Sequence, residues 1–175
     1  ILHGVLTLLP RHDEPSKLHL PIDFFFRALA ADRGSRAIGV VLSGTGSDGT
    51  EGLKAIKAES GITLAQTPKS AKFSGMPQSA IDAAVVDYPL PLVELAQELV
   101  RLSRHPYIVA RDPEPSPLGD ESTLSKIFLV VRSAIGVDFS EYKAPTVGRR
   151  LARRMALRRV DDLEAYLALI RQEPE

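Results

Sequence analysis

The stretch Ala37-Ile38-Gly39-Val40-Val41-Leu42-Ser43-Gly44-Thr45-Gly46-Ser47-Asp48-Gly49-Thr50-Glu51-Gly52-Leu53-Lys54-Ala55-Ile56-Lys57 decides the fold. Ala37 to Leu42 is a continuous apolar run and predicts a buried strand. Thr50 to Lys57 predicts the start of a helix. Between them, Gly44 to Gly49 forms a glycine-rich turn. A turn of this kind, between strand and helix, leaves backbone N–H groups open where α/β proteins bind ligands. Asp48 adds a carboxylate to the turn, and that acid separates two quite different functions.

On both sides of this unit the pattern repeats. Val5 to Leu9 is strand-like, and Ile22 to Ala31 is helix-like after Pro21, a residue tolerated at a helix start. Beyond the turn, Gly61 breaks the helix and Ile62 to Ala65 predicts a third strand. A short helix is expected from Pro77 to Asp82, a short strand at Ala84 to Val86, and a helix from Leu92 to Leu102. Alternating strands and helices with continuous apolar strands argue for an α/β fold, part of a doubly wound parallel sheet covered on both faces. This region is expected to span residues 1–103.

Residues 104–121 hold Pro106, Pro113, Pro115, Pro117 and Gly119 and read as an extended linker. Residues 122–175 then change character. Leu124, Ile127, Phe128 and Val131 recur at helical spacing, and Pro145 and Thr146 open a second helix. Asp161-Asp162-Leu163-Glu164 has the spacing of a capping box before a third helix. Three helices without strands predict a small separate all-α domain. No internal repeat is visible.

The chain has 175 residues, 22 Lys and Arg against 22 Asp and Glu, and no cysteine. The zero net charge gives it no general attraction to nucleic acid or anionic membrane. The absence of cysteine excludes disulfide and thiolate chemistry and fits a reducing compartment. Neither a transmembrane run nor a signal peptide is visible. The chain opens on Ile1 and closes on Glu175 inside a helical pattern, so it is expected to be a piece of something longer, acting in the cytoplasm.

The turn admits three readings. Gly44-x-Gly46-x-x-Gly49 matches the dinucleotide fingerprint. That fingerprint expects an acid at the end of the next strand, where Gln66 stands, and Asp48 would repel a pyrophosphate. Asp48 could instead be the orienting acid of a Ser-His-Asp triad, holding a histidine Nδ1–H while the turn amides stabilise an oxyanion. It could also simply cap the following helix.

Leu42 to Leu53, together with Gly61-Ile62-Thr63-Leu64-Ala65-Gln66, Gly75-Met76-Pro77-Gln78-Ser79-Ala80-Ile81 and Val86-Asp87, resembles the CheB-type chemotaxis protein-glutamate methylesterases over most of residues 1–103. The resemblance implies that Asp48 is the triad aspartate and sets Thr45, Gly46 and Met76 beside the oxyanion and substrate. Thr45 stands where the family usually has Met, in a role carried by the backbone N–H. The family's nucleophilic serine and its histidine belong to segments this chain lacks. His3, His12 and His19 are not in the matching context, and a surface or packing role is expected for His19. The implied reaction is hydrolysis of a glutamate γ-methyl ester: serine attack, methanol release, then attack of water on the acyl-enzyme. The chain alone is expected to be inactive.

Tyr142 to Arg159 carries Lys143, Arg149, Arg150, Arg153, Arg154, Arg158 and Arg159 and no acid. The 149/153 and 150/154 pairs fall on one helical face, with Val147, Leu151 and Met155 on the other. Taken alone, this is a solvated face, a dock for an acidic protein, or a nucleic-acid site. Gly136 to Lys143, Thr146 to Met155 and Asp162 to Glu175 resemble the N-terminal helical domain of CheR-type chemotaxis receptor methyltransferases. That resemblance implies that Arg149, Arg150, Arg153 and Arg154 face the acidic methylation helices of a receptor, with no nucleic acid and no membrane insertion. S-adenosylmethionine is implied for a following domain. No cofactor and no metal is expected on the residues present. The order of the two resemblances implies a fused methylesterase–methyltransferase that erases and writes one charge mark. The alternative is a non-catalytic regulatory or docking module of a chemosensory pathway.

Overall fold

The computed structural model describes residues 1–8, 19–109, 121–139 and 142–172. The chain divides into two compact units, Ile1–Arg104 and His105–Glu175.

In the first unit, α1 (Pro21–Arg33) leads to β1 (Ile38–Val41), then α2 (Thr50–Ala58), β2 (Ile62–Gln66), α3 (Gly75–Asp82), β3 (Tyr88–Leu90) and α4 (Leu92–Arg104). The three strands form one parallel sheet in the order β1-β2-β3, with Ile38 opposite Ile62 and Leu64 opposite Tyr88. All five residues of β2 are buried, the mark of a central strand covered on both faces. Val41, Leu53, Ile56 and Ala80 join Phe26 and Ala30 in the core, so α1, α2 and α3 close on β1. Gly39 permits this approach. A Cβ there would lie 2.6 Å from side-chain carbons of both Leu53 and Ile56. The α/β parallel sheet expected from the alternating pattern is therefore present.

Two strand expectations are corrected. Among the described residues of Val5 to Leu9, only a single bridge between Leu2 and Val5 forms, and Leu6 and Leu8 are exposed; Leu9 lies outside the described residues. Ala84 to Val86 forms no strand: Ala84 ends a turn at a left-handed φ of 54°, Val85 and Val86 belong to neither helix nor strand, and the strand comes later, at Tyr88–Leu90. Among the described residues the sheet holds β3 on one side only, so Pro89 can occupy it without breaking a ladder.

The second unit contains α5 (Pro106–Val109), α6 (Glu121–Ile135), α7 (Ala144–Arg158) and α8 (Leu163–Gln172). Pro106, assigned to the linker by its composition, opens one helical turn. Residues 110–120, with the other linker prolines, lie outside the described residues. Ile127, Leu151, Met155, Leu163, Tyr166 and Leu167 form the core. The apolar face of α7 points inward as its spacing predicts, and Gly148 is buried within that helix. The cap of α8 falls one residue later than the sequence spacing suggests. Asp162 accepts the Ala165 N–H at 2.7 Å, while Asp161 lies 3.8 Å from His105.

Candidate active site

The strand-end turn is fixed from three sides. Ser43 donates its N–H to the Gln66 side-chain oxygen at 3.0 Å, and the Gln66 amide donates to the Ser70 carbonyl at 2.8 Å. Gln66 is buried. The residue standing where a dinucleotide site needs an acid therefore serves as a brace between β2, the turn and the following loop.

That loop grips the turn through its backbone. Gly44 donates to the Phe73 carbonyl and accepts from Met76 N–H, both at 2.9 Å, while Phe73 N–H donates to the Ser43 hydroxyl at 2.9 Å. Met76 folds over Gly44; a Cβ on that glycine would meet its sulfur at 2.2 Å. Met76 is half-buried against the core and closes the turn from above.

Thr45 and Gly46 are exposed, and Gly46 has a φ of 79°, which favours glycine. Among the described residues neither amide donates to a protein acceptor. Two N–H groups without a protein acceptor at a strand end are the kind of donor that a developing oxyanion takes.

Asp48 is half-buried and reaches the start of α1. Its Oδ2 accepts the Ile22 N–H at 3.1 Å and its Oδ1 accepts the Asp23 N–H at 2.9 Å. The reading of Asp48 as a cap for the following helix is thereby corrected: α2 has Gly49 at its N-cap with no side-chain bond, and the helix Asp48 caps is the preceding one. The positive end of α1 faces this carboxylate. Each carboxylate oxygen has a second lone pair, enough to receive an imidazole N–H.

The start of α2 is also taken. The buried carboxylate of Asp23 accepts the Gly52 N–H at 2.7 Å. A pyrophosphate at this helix end would meet Asp23 and Asp48 together, which argues against the dinucleotide reading. Sequence reasoning missed Asp23. Its only local signal is an acid in the first turn of α1.

Of the histidines, His19 is exposed just before α1, His3 is exposed in a turn, and His12 lies outside the described residues. Among the described residues no group of three His, Cys, Asp or Glu could hold a metal, and no helix is long and apolar enough to cross a membrane.

In the second unit Arg149, Arg150 and Arg154 are exposed and Arg153 is half-buried. Arg150, Arg153, Arg154 and Arg158 border an apolar groove of about 420 Å³, lined among others by Phe128, Val131 and Tyr166.

Comparison with known proteins matches residues 3–99 to the CheB methylesterase family and residues 122–175 to the CheR methyltransferase all-alpha domain. An uncharacterized 104.1 kDa protein of Rhodobacter capsulatus is 38% identical over 192 residues, covering 95% of this chain and 20% of that protein. A protein-glutamate methylesterase/protein-glutamine glutaminase of Geobacillus kaustophilus is 46% identical over 101 residues, covering 55% of this chain and 29% of that protein. The crystal structure of the Thermotoga maritima CheB methylesterase catalytic domain aligns at 34% identity and a TM-score of 0.45, covering 46% of this chain and 42% of that one. The chain thus spans less than a third of the length of these two sequence relatives.

Proposed function

Because this chain belongs to the CheB methylesterase family, matched over residues 3–99, we propose that its first unit is the acid-bearing part of a protein-glutamate methylesterase. In that role Asp48 is the triad acid. The serine and histidine come from residues of a longer polypeptide outside this chain. The observation that carries the reading is the anchoring of Asp48. Two backbone amides hold its carboxylate in place, in the same turn as the Thr45 and Gly46 N–H groups, which have no protein acceptor among the described residues.

The chemistry follows from that arrangement. Asp48 orients the imidazole and stabilises the imidazolium formed as the serine attacks the ester carbonyl. The Thr45 and Gly46 amides stabilise the tetrahedral oxyanion. Methanol leaves, water attacks the acyl-enzyme, and the receptor glutamate regains its negative charge. Met76 acts here through packing over Gly44, which fixes the turn beside the substrate. With the triad serine and histidine supplied from outside this chain, residues 1–104 on their own are expected to hydrolyse no ester.

The second unit serves as the docking domain of a receptor methyltransferase, with Arg149, Arg150, Arg153 and Arg154 facing an acidic methylation region. S-adenosylmethionine does not fit the described residues of this unit. Its regular elements are all helices, and the groove beside α7 is bordered by arginines that repel a sulfonium cation and has no carboxylate in its lining to take ribose hydroxyls. In this reading S-adenosylmethionine is held by a domain outside this chain.

The testing experiment is ester hydrolysis by the longer polypeptide on methylated receptor. Turnover that disappears in Asp48→Asn with the fold intact supports the reading. Turnover equal to that of the parent removes Asp48 from the mechanism.

A further inference from the structure

Helices α1 and α2 exchange their caps. The N-cap residue of α1, Leu20, makes no side-chain cap bond, and neither does Gly49 at the N-cap of α2. Asp48, next to Gly49 in sequence, caps α1 through the Ile22 and Asp23 amides. Asp23, the third residue of α1, caps α2 through the Gly52 amide. Helix starts carry unpaired N–H groups that favour a carboxylate, so each acid satisfies the donors of the other's helix.

The bonds close a ring. Asp23 donates its N–H to Asp48, and four residues along the chain from Asp48, Gly52 donates back to Asp23. The two backbones are in near contact at this point. A Cβ on Gly52 would lie 3.1 Å from the Asp23 Cα and 2.5 Å from the Phe26 Cβ. Asp23 is 5% exposed, so water cannot replace its carboxylate at Gly52. With its Oδ1 engaged and its side chain enclosed, Asp23 cannot reach a substrate.

We infer that Asp23 is a positioning residue for the hydrolytic site, holding the Asp48 carboxylate in line by pinning the start of α2 to the start of α1. This rests on the reading of Asp48 as the triad acid. What the ring requires of Asp23 is an acceptor oxygen at one place. It does not require a negative charge. Asn presents an acceptor oxygen at the same reach. Glu carries the charge one methylene too far for the enclosed site, and Ala leaves the Gly52 N–H unpaired.

The test compares Asp23→Asn, Asp23→Glu and Asp23→Ala in the longer polypeptide, measuring kcat and KM on methylated receptor. Asp23→Asn is expected to stay within about 3-fold of the parent kcat. Asp23→Glu and Asp23→Ala are expected to lose kcat by about 10- to 100-fold, the scale of a misplacement near 1 Å, with KM shifted less than about 2-fold. Should Asp23→Ala not fold, the contrast of Asn against Glu carries the same decision. Kinetics of Asp23→Glu within 2-fold of the parent, or an Asn variant as impaired as the Glu variant, would overturn the inference.

A second arm reads the ring without catalysis. Amide hydrogen exchange in the 175-residue chain should speed up by about 10-fold at Ile22 and at Gly52 in Asp23→Glu, and at neither in Asp23→Asn. Unchanged Ile22 exchange in Asp23→Glu would show that Asp23 does not hold Asp48. An unmodified longer polypeptide that hydrolyses no methyl ester overturns the hydrolase reading instead, and the exchange measurement then still decides whether the ring exists.

Discussion

The Cβ that Gly75 lacks would stand 2.9 Å from the amide nitrogen of Gly46 and 3.2 Å from the Gly44 carbonyl oxygen. The first residue of α3 therefore lies backbone against backbone on the strand-end turn. Nothing larger than hydrogen fits there unless the turn moves.

Gly75→Ala should accordingly destabilise the first unit by about 1–3 kcal/mol, the usual cost of overpacking. Gly44→Ala should cost less. The atom it meets is the Met76 sulfur, which can swing away on a flexible side chain. Urea unfolding of the two variants gives the comparison, and equal costs would contradict it.

Asp48→Asn should lower esterase turnover of the longer polypeptide by about 10³- to 10⁴-fold, as loss of a triad acid's correct hydrogen bonding does. One side-chain oxygen remains for a helix amide, so the fold should persist. Asp48→Ala removes both acceptors and should cost a further loss of stability of about 0.5–2 kcal/mol. Steady-state kinetics and thermal unfolding on the same samples separate the two effects.

Asp87 links β2 to the segment that leads into β3. Its Oδ2 accepts the Thr63 N–H at 3.0 Å, its own N–H donates to the Thr63 hydroxyl at 3.2 Å, and Lys57 lies 3.4 Å from Oδ1. The carboxylate is buried while Lys57 is half-exposed. Asp87→Ala should cost about 1.5–3 kcal/mol, because it leaves a buried strand amide unpaired. Lys57→Ala should cost less than about 1 kcal/mol. Denaturant unfolding of the single and double variants tests this ranking.

Replacing Arg149, Arg150 and Arg154 by Glu should weaken binding of an acidic receptor helix at least about 10-fold near 0.1 M salt, and by less near 1 M, where screening is short-ranged. These side chains are exposed, so the helical unit should stay folded. Calorimetric titration at two salt concentrations measures both. Affinity indifferent to all three changes would remove this face from docking.

The strand, glycine turn and helix around Asp48 were legible because they rest on local signals: an apolar run, φ-permissive glycines and a helical period. β3 was not. Ala84 to Val86 has the apolar composition of a strand, and Pro89 argues against one where a strand occurs. Only the sheet order, which leaves one side of β3 unpaired among the described residues, makes Pro89 acceptable. The cap of α8 was displaced by one residue because Asp161 and Asp162 are adjacent acids that composition cannot rank. At the candidate site Asp48 was identifiable and its attachment was not. Leu20 is no capping residue, and the bonds from Ile22 and Asp23 span 26 and 25 positions of sequence.

The exchange of caps between α1 and α2 also bears on how the first unit opens. Neither helix can complete its first turn until the other has docked, so the pair has no stable half-formed intermediate in which one end frays alone. Thermal fluctuations should release both starts in one concerted event and close them in another, as a single foldon. The acid at the strand end would then be either fully held or fully lost, with little time spent in a slack, misaimed state.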